Sequence, residues 1–176
     1  SLVLISTQTA SSSSTISFTS GIDSTYKEYI FKFIDIHMAT SDASFTVNFR
    51  DGGSNYDATK TTTFFRAYHN EGGSAQALTY STSADLAQST SAQAIITSNG
   101  TDNDMSASGT LHLFDPSSTT FVKHFMSDCH VYHKDDYSQR LFVAGYANVT
   151  AAIDGVQFGS SSGNIDAGTI KMYGVS

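Results

Sequence analysis

Apolar and polar residues alternate most cleanly over Ala43–Arg50. Phe45, Val47 and Phe49 point one way there, and Ser44, Thr46, Asn48 and Arg50 the other. A period of two residues belongs to a β-strand with one buried and one wet face. Aromatic and β-branched runs recur at Tyr29–Met38, Phe64–His69, Leu111–Phe114, Phe121–Tyr132, Arg140–Val149 and Ile170–Tyr173. Such residues fit a pleated, half-buried surface. Several runs are apolar on both faces. In Tyr26–Met38 the set Ile30, Ile34, Ile36 and Met38 opposes Tyr29, Phe31 and Phe33. In Thr120–His133 the set Phe121, Phe125, Cys129 and Val131 opposes Val122, Met126 and Tyr132. In Gln139–Val149, Leu141 and Val143 oppose Phe142 and Tyr146. A strand of this kind is central, or lies between the core and a neighbouring subunit.

Turn residues punctuate the runs. Leu2–Thr7 reads as an edge strand, Ala10–Ser14 as a low-complexity linker and Thr15–Thr19 as a second short strand. Asp51-Gly52-Gly53-Ser54-Asn55 and Asn70-Glu71-Gly72-Gly73 are strong turn signals, and they bracket a hairpin whose loop carries Tyr56 and Asp57. Ser81–Thr97 has two readings: a helical turn or two from Ser83, or a polar loop leading to a strand at Ala92–Thr97. Ala107–Phe114 is a strand closed by Asp115-Pro116, and Gly145 in mid-strand predicts a bulge or the close approach of another backbone. The pattern predicts roughly nine to eleven strands, with no βαβ alternation and no helix of ordinary length. It specifies an all-β fold, an antiparallel β-sandwich of jelly-roll type. At 176 residues the chain makes one core, a single domain over 1–176 with an N-terminal arm at 1–14.

Composition narrows the functional classes. There are 28 Ser and 21 Thr, and charged residues make up 14% of the chain. A surface covered by hydroxyls and amides suits a protein that packs against copies of itself or other proteins. A net charge of −7 with no basic groove argues against nucleic-acid binding and against an anionic membrane surface. No run of apolar residues is long enough for a membrane helix, so no membrane insertion is expected. Leu2–Ile5 is too short for a signal peptide and lacks its basic flank. Cys129, the single cysteine, sits in an apolar run and reads as a buried structural thiol.

Chemistry-bearing constellations are weak. His124, Asp128 and His130 share a strand face, yet spacings of nearly 7 Å per two residues keep them from one ion. Asp135-Asp136 reads as a solvated turn and Asp102-Asn103-Asp104 as a loop lacking the pattern of a calcium-binding EF-hand. Asn99-Gly-Thr101 and Asn148-Val-Thr150 match the glycosylation pattern, the second within a predicted buried strand. No nucleophile elbow or paired catalytic acids stand out, so neither enzyme activity nor a cofactor or metal is expected. Exposed aromatics stack on the apolar face of sugars. Tyr56, Tyr68 and Tyr137, in or beside predicted loops, are the candidates for glycan contact, against the alternative that each packs at a sheet edge.

Four motifs occur together. They are Gly21-Ile22-Asp23-Ser24-Thr25-Tyr26; Phe33-Ile34-Asp35-Ile36-His37, ending an aromatic strand; the Phe-x-Val-x-Phe of Phe45–Phe49 leading to Asp51–Asp57; and the closing Asn164–Val175 with Gly168-Thr-Ile-Lys-Met-Tyr173-Gly-Val. Over almost the whole chain this pattern resembles virion structural proteins of tailed bacteriophages, marine and cyanobacterial phages above all. Met172 and Val175 stand where Leu and Ile are more usual. The resemblance implies a protein of the particle surface, either a capsid decoration or cement protein or a tail component, assembling through its β-faces. The implied partners are other virion proteins and copies of itself, a trimer being favoured. Its alternative is a tail-fibre receptor-binding domain recognising host surface polysaccharide. A polysaccharide-degrading enzyme is a third reading, which the chain's shortness for a β-helix spike disfavours.

Overall fold

A computed structural model describes residues 1–176, and every regular element in it is a strand. In order these are β1 (Leu2–Thr9), β2 (Thr15–Phe18), β3 (Glu28–Met38), β4 (Phe45–Arg50), β5 (Lys60–Asn70) and β6 (Gln76–Tyr80). There follow β7 (Gln93–Ile96), β8 (Ala107–Phe114), β9 (Lys123–His133), β10 (Tyr137–Ala147), β11 (Gly155–Ser160) and β12 (Ile165–Val175). They form two antiparallel sheets. An eight-stranded sheet runs β1-β12-β3-β8-β9-β10-β5-β6, and a four-stranded sheet runs β2-β11-β4-β7. The predicted edge strand at the N-terminus is indeed the outermost strand of the larger sheet.

The sheets are held face to face by aromatic side chains. Phe158 of β11 is the hub: its ring lies 6.1 Å from Phe18, 5.3 Å from Phe31, 5.2 Å from Phe33 and 5.5 Å from Phe45. Three of the four contacts are edge-to-face, the geometry ring quadrupoles favour, and the fourth is stacked. Phe49 and Phe125 make a second bridge at 5.0 Å. One continuous apolar cluster results.

Three sequence expectations need correction. Ile36 and Met38 do not oppose Tyr29, Phe31 and Phe33; all five are buried on the core side. The register of β3 slips between Phe33 and Ile36, where Asp35 takes a φ of 51° and its N–H goes to Ser108 Oγ instead of a ladder partner. The extra residue moves every later side chain to the other face. On the facing strand Gly168, at φ 122°, accommodates this bulge, because a Cβ there would meet Asp35 O and Ile36 Cα at 2.8 Å.

The expected hairpin around Tyr56 is also absent. β4 pairs with β11 and β7, while β5 pairs with β10 and β6, so the 51–59 connection crosses from one sheet to the other. Phe121, placed by its phase on the core side, precedes β9 and is exposed. Ser81–Thr97 follows the loop-and-strand reading, ending in β7. β6 was not foreseen. Gly145 makes no bulge, since the ladders on both sides run through it unbroken. It is the close approach of β5 that requires glycine there.

Candidate functional site

The small sheet covers the inner face of the large one incompletely. Along β5 the inward positions are Lys60, Thr62, Phe64, Arg66 and Tyr68; along β10 they are Tyr137, Gln139, Leu141, Val143, Gly145 and Ala147. Phe64, Leu141 and Val143 are buried in the core. Further along the same face the row turns polar and opens, forming a cleft of about 190 Å³ lined by Arg66, Tyr68, His133, Asp135, Tyr137 and Gln139. The cleft is the core face continued beyond its cover.

Two of the three tyrosines proposed for glycan contact meet here. Tyr68 and Tyr137 lie 5.6 Å apart with their rings at 72°, and His133 stands 5.1 Å from Tyr137. Both occupy strand positions, Tyr68 near the end of β5 and Tyr137 at the start of β10. Tyr56 is elsewhere, with Arg50 over its ring at 5.8 Å and its hydroxyl buried without a hydrogen-bond partner. It lies in the connection between β4 and β5 and is no part of the cleft.

Arg66 gives the cleft its charge. Of the three arginines, Arg50 is paired with Asp154 at 2.7 Å and Arg140 with Asp128 at 2.6 Å, but Arg66 has no carboxylate partner. It donates from Nη1 to Gln139 Oε1 at 3.2 Å and lies 5.7 Å from the centre of the Tyr68 ring. Its Nε is buried without an acceptor, an arrangement that costs about 1–3 kcal/mol for an ordinary polar group and more for a charged one. The neighbouring cation, Lys134, is already held by Asp135 at 2.8 Å, which keeps the Asp135 carboxyl below its usual range. Burial pushes the His133 imidazole below its usual value against the opposing pull of the Asp135 carboxylate, and the positive charges of Lys134 and Arg66 add to the effect of burial. His133 Nδ1 accepts the N–H of Asp135 at 3.1 Å, which leaves the hydrogen on Nε2. The cleft therefore brings together a guanidinium that no carboxylate pairs, two tyrosine rings, a histidine and the Lys134-held carboxylate of Asp135.

The sequence does not single out Arg66 or Gln139, and it marks His133 only as a metal partner for His130 that its odd spacing on a strand rules out. The signal was there in part: Arg66 and Gln139 are polar residues in the apolar phase of their strands, where a buried row is ending.

The outer face of the eight-stranded sheet is the second candidate surface. Register places Leu4, Tyr173, Ile30, His112, Met126 and Ala144 in one row across six strands. In the adjacent row Phe142 sits between Asp128 and Phe65, and Phe65 faces Tyr80. Phe65 and Phe142 stack at 4.8 Å, and Arg140 lies over Phe142 at 4.6 Å while gripping Asp128 with two hydrogen bonds of 2.9 and 2.6 Å. Leu4, Met126 and Tyr80 are each more than half exposed, at 52%, 55% and 51%. A shallow groove of about 450 Å³ runs between Phe65, His112, Phe114, Met126 and Phe142.

The remaining sequence candidates are engaged elsewhere. Asp128 is committed to Arg140, His130 to Ser138 Oγ at 2.9 Å, and His124 lies against Tyr146. No cluster of three or more His, Cys, Asp or Glu side chains is arranged to hold a metal ion. Asn99 is buried, donating to Ala43 O, whereas Asn148, expected within a buried strand, is exposed just beyond β10. No helix is long and apolar enough to cross a membrane.

No known family model matches the chain, and no curated protein is similar to it in sequence. Its class is thus defined by architecture alone: an all-β protein of two packed antiparallel sheets.

Proposed function

We propose that this chain is a structural protein of the bacteriophage particle surface, a capsid decoration, cement or tail component, which assembles with copies of itself through the outer face of its eight-stranded sheet. The observation that carries the reading is the apolar row on that face. A solvated sheet face alternates polar residues outward; this one presents Leu4, Ile30, Met126, Phe65 and Phe142 among polar neighbours such as Lys32, Thr110 and Asp128. Contiguous exposed apolar surface of this kind marks an interaction site. The motif resemblance points to the same class, and a trimer is the favoured assembly.

The strand order supports a jelly-roll within this reading. From β2 to β8 the chain visits the small and large sheets in the sequence small, large, small, large, large, small, large, and β11 returns to the small sheet. That is the path of an eight-stranded jelly-roll. The β9–β10 hairpin is then an insertion that widens the large sheet between β8 and β5, and β1 and β12 extend its other edge.

Gold-labelled antibody on intact particles, with sedimentation of the isolated chain, tests the proposal. Label on particle heads or tails and a concentration-dependent oligomer are expected. A chain that is absent from particles and monomeric at every concentration overturns it. The Tyr68–Tyr137 cleft favours a second reading, a domain that recognises host surface polysaccharide. Label confined to fibre tips would select it.

A further inference from the structure

The cleft at the open end of the core face is built for a narrower ligand than sugar in general. We propose that it binds a carboxylate-bearing sugar unit, a uronic acid within a polysaccharide, with the Arg66 guanidinium on the carboxylate and Tyr68 and Tyr137 against the ring. The inference rests on the second reading above, that this cleft meets polysaccharide.

Charge, shape and donor chemistry all lead there. Arg66 is the one arginine without a carboxylate, and its buried Nε has no acceptor. A planar carboxylate matches the guanidinium fork, taking two parallel hydrogen bonds. Tyr68 stands 5.7 Å from the guanidinium, and Gln139 Oε1 accepts from its Nη1. Tyr137, at 72° to Tyr68, supplies the wall of an angled corner, and a pyranose ring needs such an apolar wall on one side with hydrogen-bonding groups on the other. His133, whose Nδ1 is taken by the Asp135 N–H and whose Nε2 is not, is a group of that second kind, while buried Gln139 holds Arg66 from behind. The volume of about 190 Å³ suits one sugar ring.

The charge balance disfavours a phosphate. Lys134 is neutralised by Asp135, and Asp135 itself lines the cleft. One uncompensated cation answers a monoanion. A dianionic group would meet the Asp135 carboxylate with a single arginine to offset it.

The test is titration of the intact chain with trigalacturonate and, as the neutral match, galactotriose. The side-chain Nε–H resonance of Arg66 is followed by NMR and the affinity by calorimetry. Trigalacturonate is expected to shift that resonance and to bind about tenfold or more tightly than galactotriose. Arg66→Gln is expected to lose about tenfold for the acidic sugar alone, and Tyr137→Ala to weaken both. Thermal unfolding of each variant confirms that it folds, and Arg66→Lys, which keeps the charge without the fork, provides a second point. Equal binding of both sugars, unchanged in Arg66→Gln, would overturn the carboxylate and leave the polysaccharide reading standing. Binding of neither would overturn both, and inorganic phosphate competing for the same resonance would replace the sugar with a phosphate ligand.

Discussion

Lys60 of β5 donates its ammonium to the side-chain carbonyl of Asn48 on β4, joining the two sheets by a hydrogen bond that is wholly buried. Its only other acceptor is Ala58 O at 2.7 Å, and no carboxylate pairs with it. Burial pushes this lysine down from 10.5 to about 8, against the weaker pull of Asp57 and Asp51. Between those values the unfolded chain keeps a proton that the folded protein has released. Stability therefore rises with pH across the window from about 8 to 10.5, the opposite of what a salt-bridged lysine gives. Lys60→Met removes the effect. Relative to this variant the wild type is expected to gain about 2 kcal/mol in unfolding free energy between about pH 7.5 and 10. Denaturant unfolding of both proteins at several pH values measures the gain, since all other titrating groups cancel in the difference. Parallel pH curves would show that Lys60 is not buried as described.

Cys129 should be chemically silent in the native protein. It belongs to β9, between Gly109 of β8 and Leu141 of β10, with Ser127 Oγ at 3.3 Å, and burial pushes its thiol up to about 12. At pH 8 the thiolate fraction is then about a thousandfold lower than for an ordinary cysteine. Iodoacetamide is expected to leave the native protein unmodified and to label one site once it is unfolded, read by intact mass. Rapid labelling before unfolding would contradict the packing of this strand pair.

Gly145 has neighbours where a side chain would go. A Cβ there would stand 2.6 Å from Thr61 O and from Thr62 Cγ2, and the first of these is backbone that cannot turn aside. Gly145→Ala is expected to cost about 1–3 kcal/mol. Gly72 provides the control: its nearest atom is 3.6 Å from a built Cβ, and Gly72→Ala should stay within about 0.5 kcal/mol of wild type. Thermal or urea unfolding separates the two. Equal effects would mean that β5 and β10 are farther apart than this register allows.

The strands were legible because a period of two and turn residues are local signals. Ala107–Phe114 coincides with β8, and Phe45, Val47 and Phe49 are buried as their alternation requires. Pairing was not legible. Nothing near Asp51 reveals that β4 and β5 belong to different sheets, because that choice depends on partners far along the chain, with Phe45 meeting Ser160 of β11 and Lys60 meeting Ala147 of β10. The bulge at Asp35 was hidden for a related reason. It costs a positive φ that Gly168 of the facing strand accommodates, and a single strand's pattern cannot show its neighbour's glycine. The cleft was half legible. Tyr68 and Tyr137 stood out as aromatics beside turns, but their meeting depends on the β5–β10 register, as does the position of Arg66 beside Gln139.

That same register decides how the outer face would assemble. Met126 projects from β9 between His112 of β8 and Ala144 of β10, and Phe65 and Phe142 form a stacked pair on the two strands beyond. These side chains contribute little to the fold, since Met126 is more than half exposed and the core lies on the other side of the sheet. A charge placed there should spare folding and break association. Met126→Glu is expected to change unfolding stability by about 0.5 kcal/mol or less, as surface substitutions do, and Phe65→Glu, which loses its stacking on Phe142, to cost about 0.5–1.5 kcal/mol. Either is expected to weaken self-association about tenfold or more, because a carboxylate at the centre of an apolar interface must be desolvated without a partner. Sedimentation equilibrium across a concentration series reads the oligomer, and circular dichroism confirms the sheet. An oligomer indifferent to both substitutions would place the contact between copies on another surface.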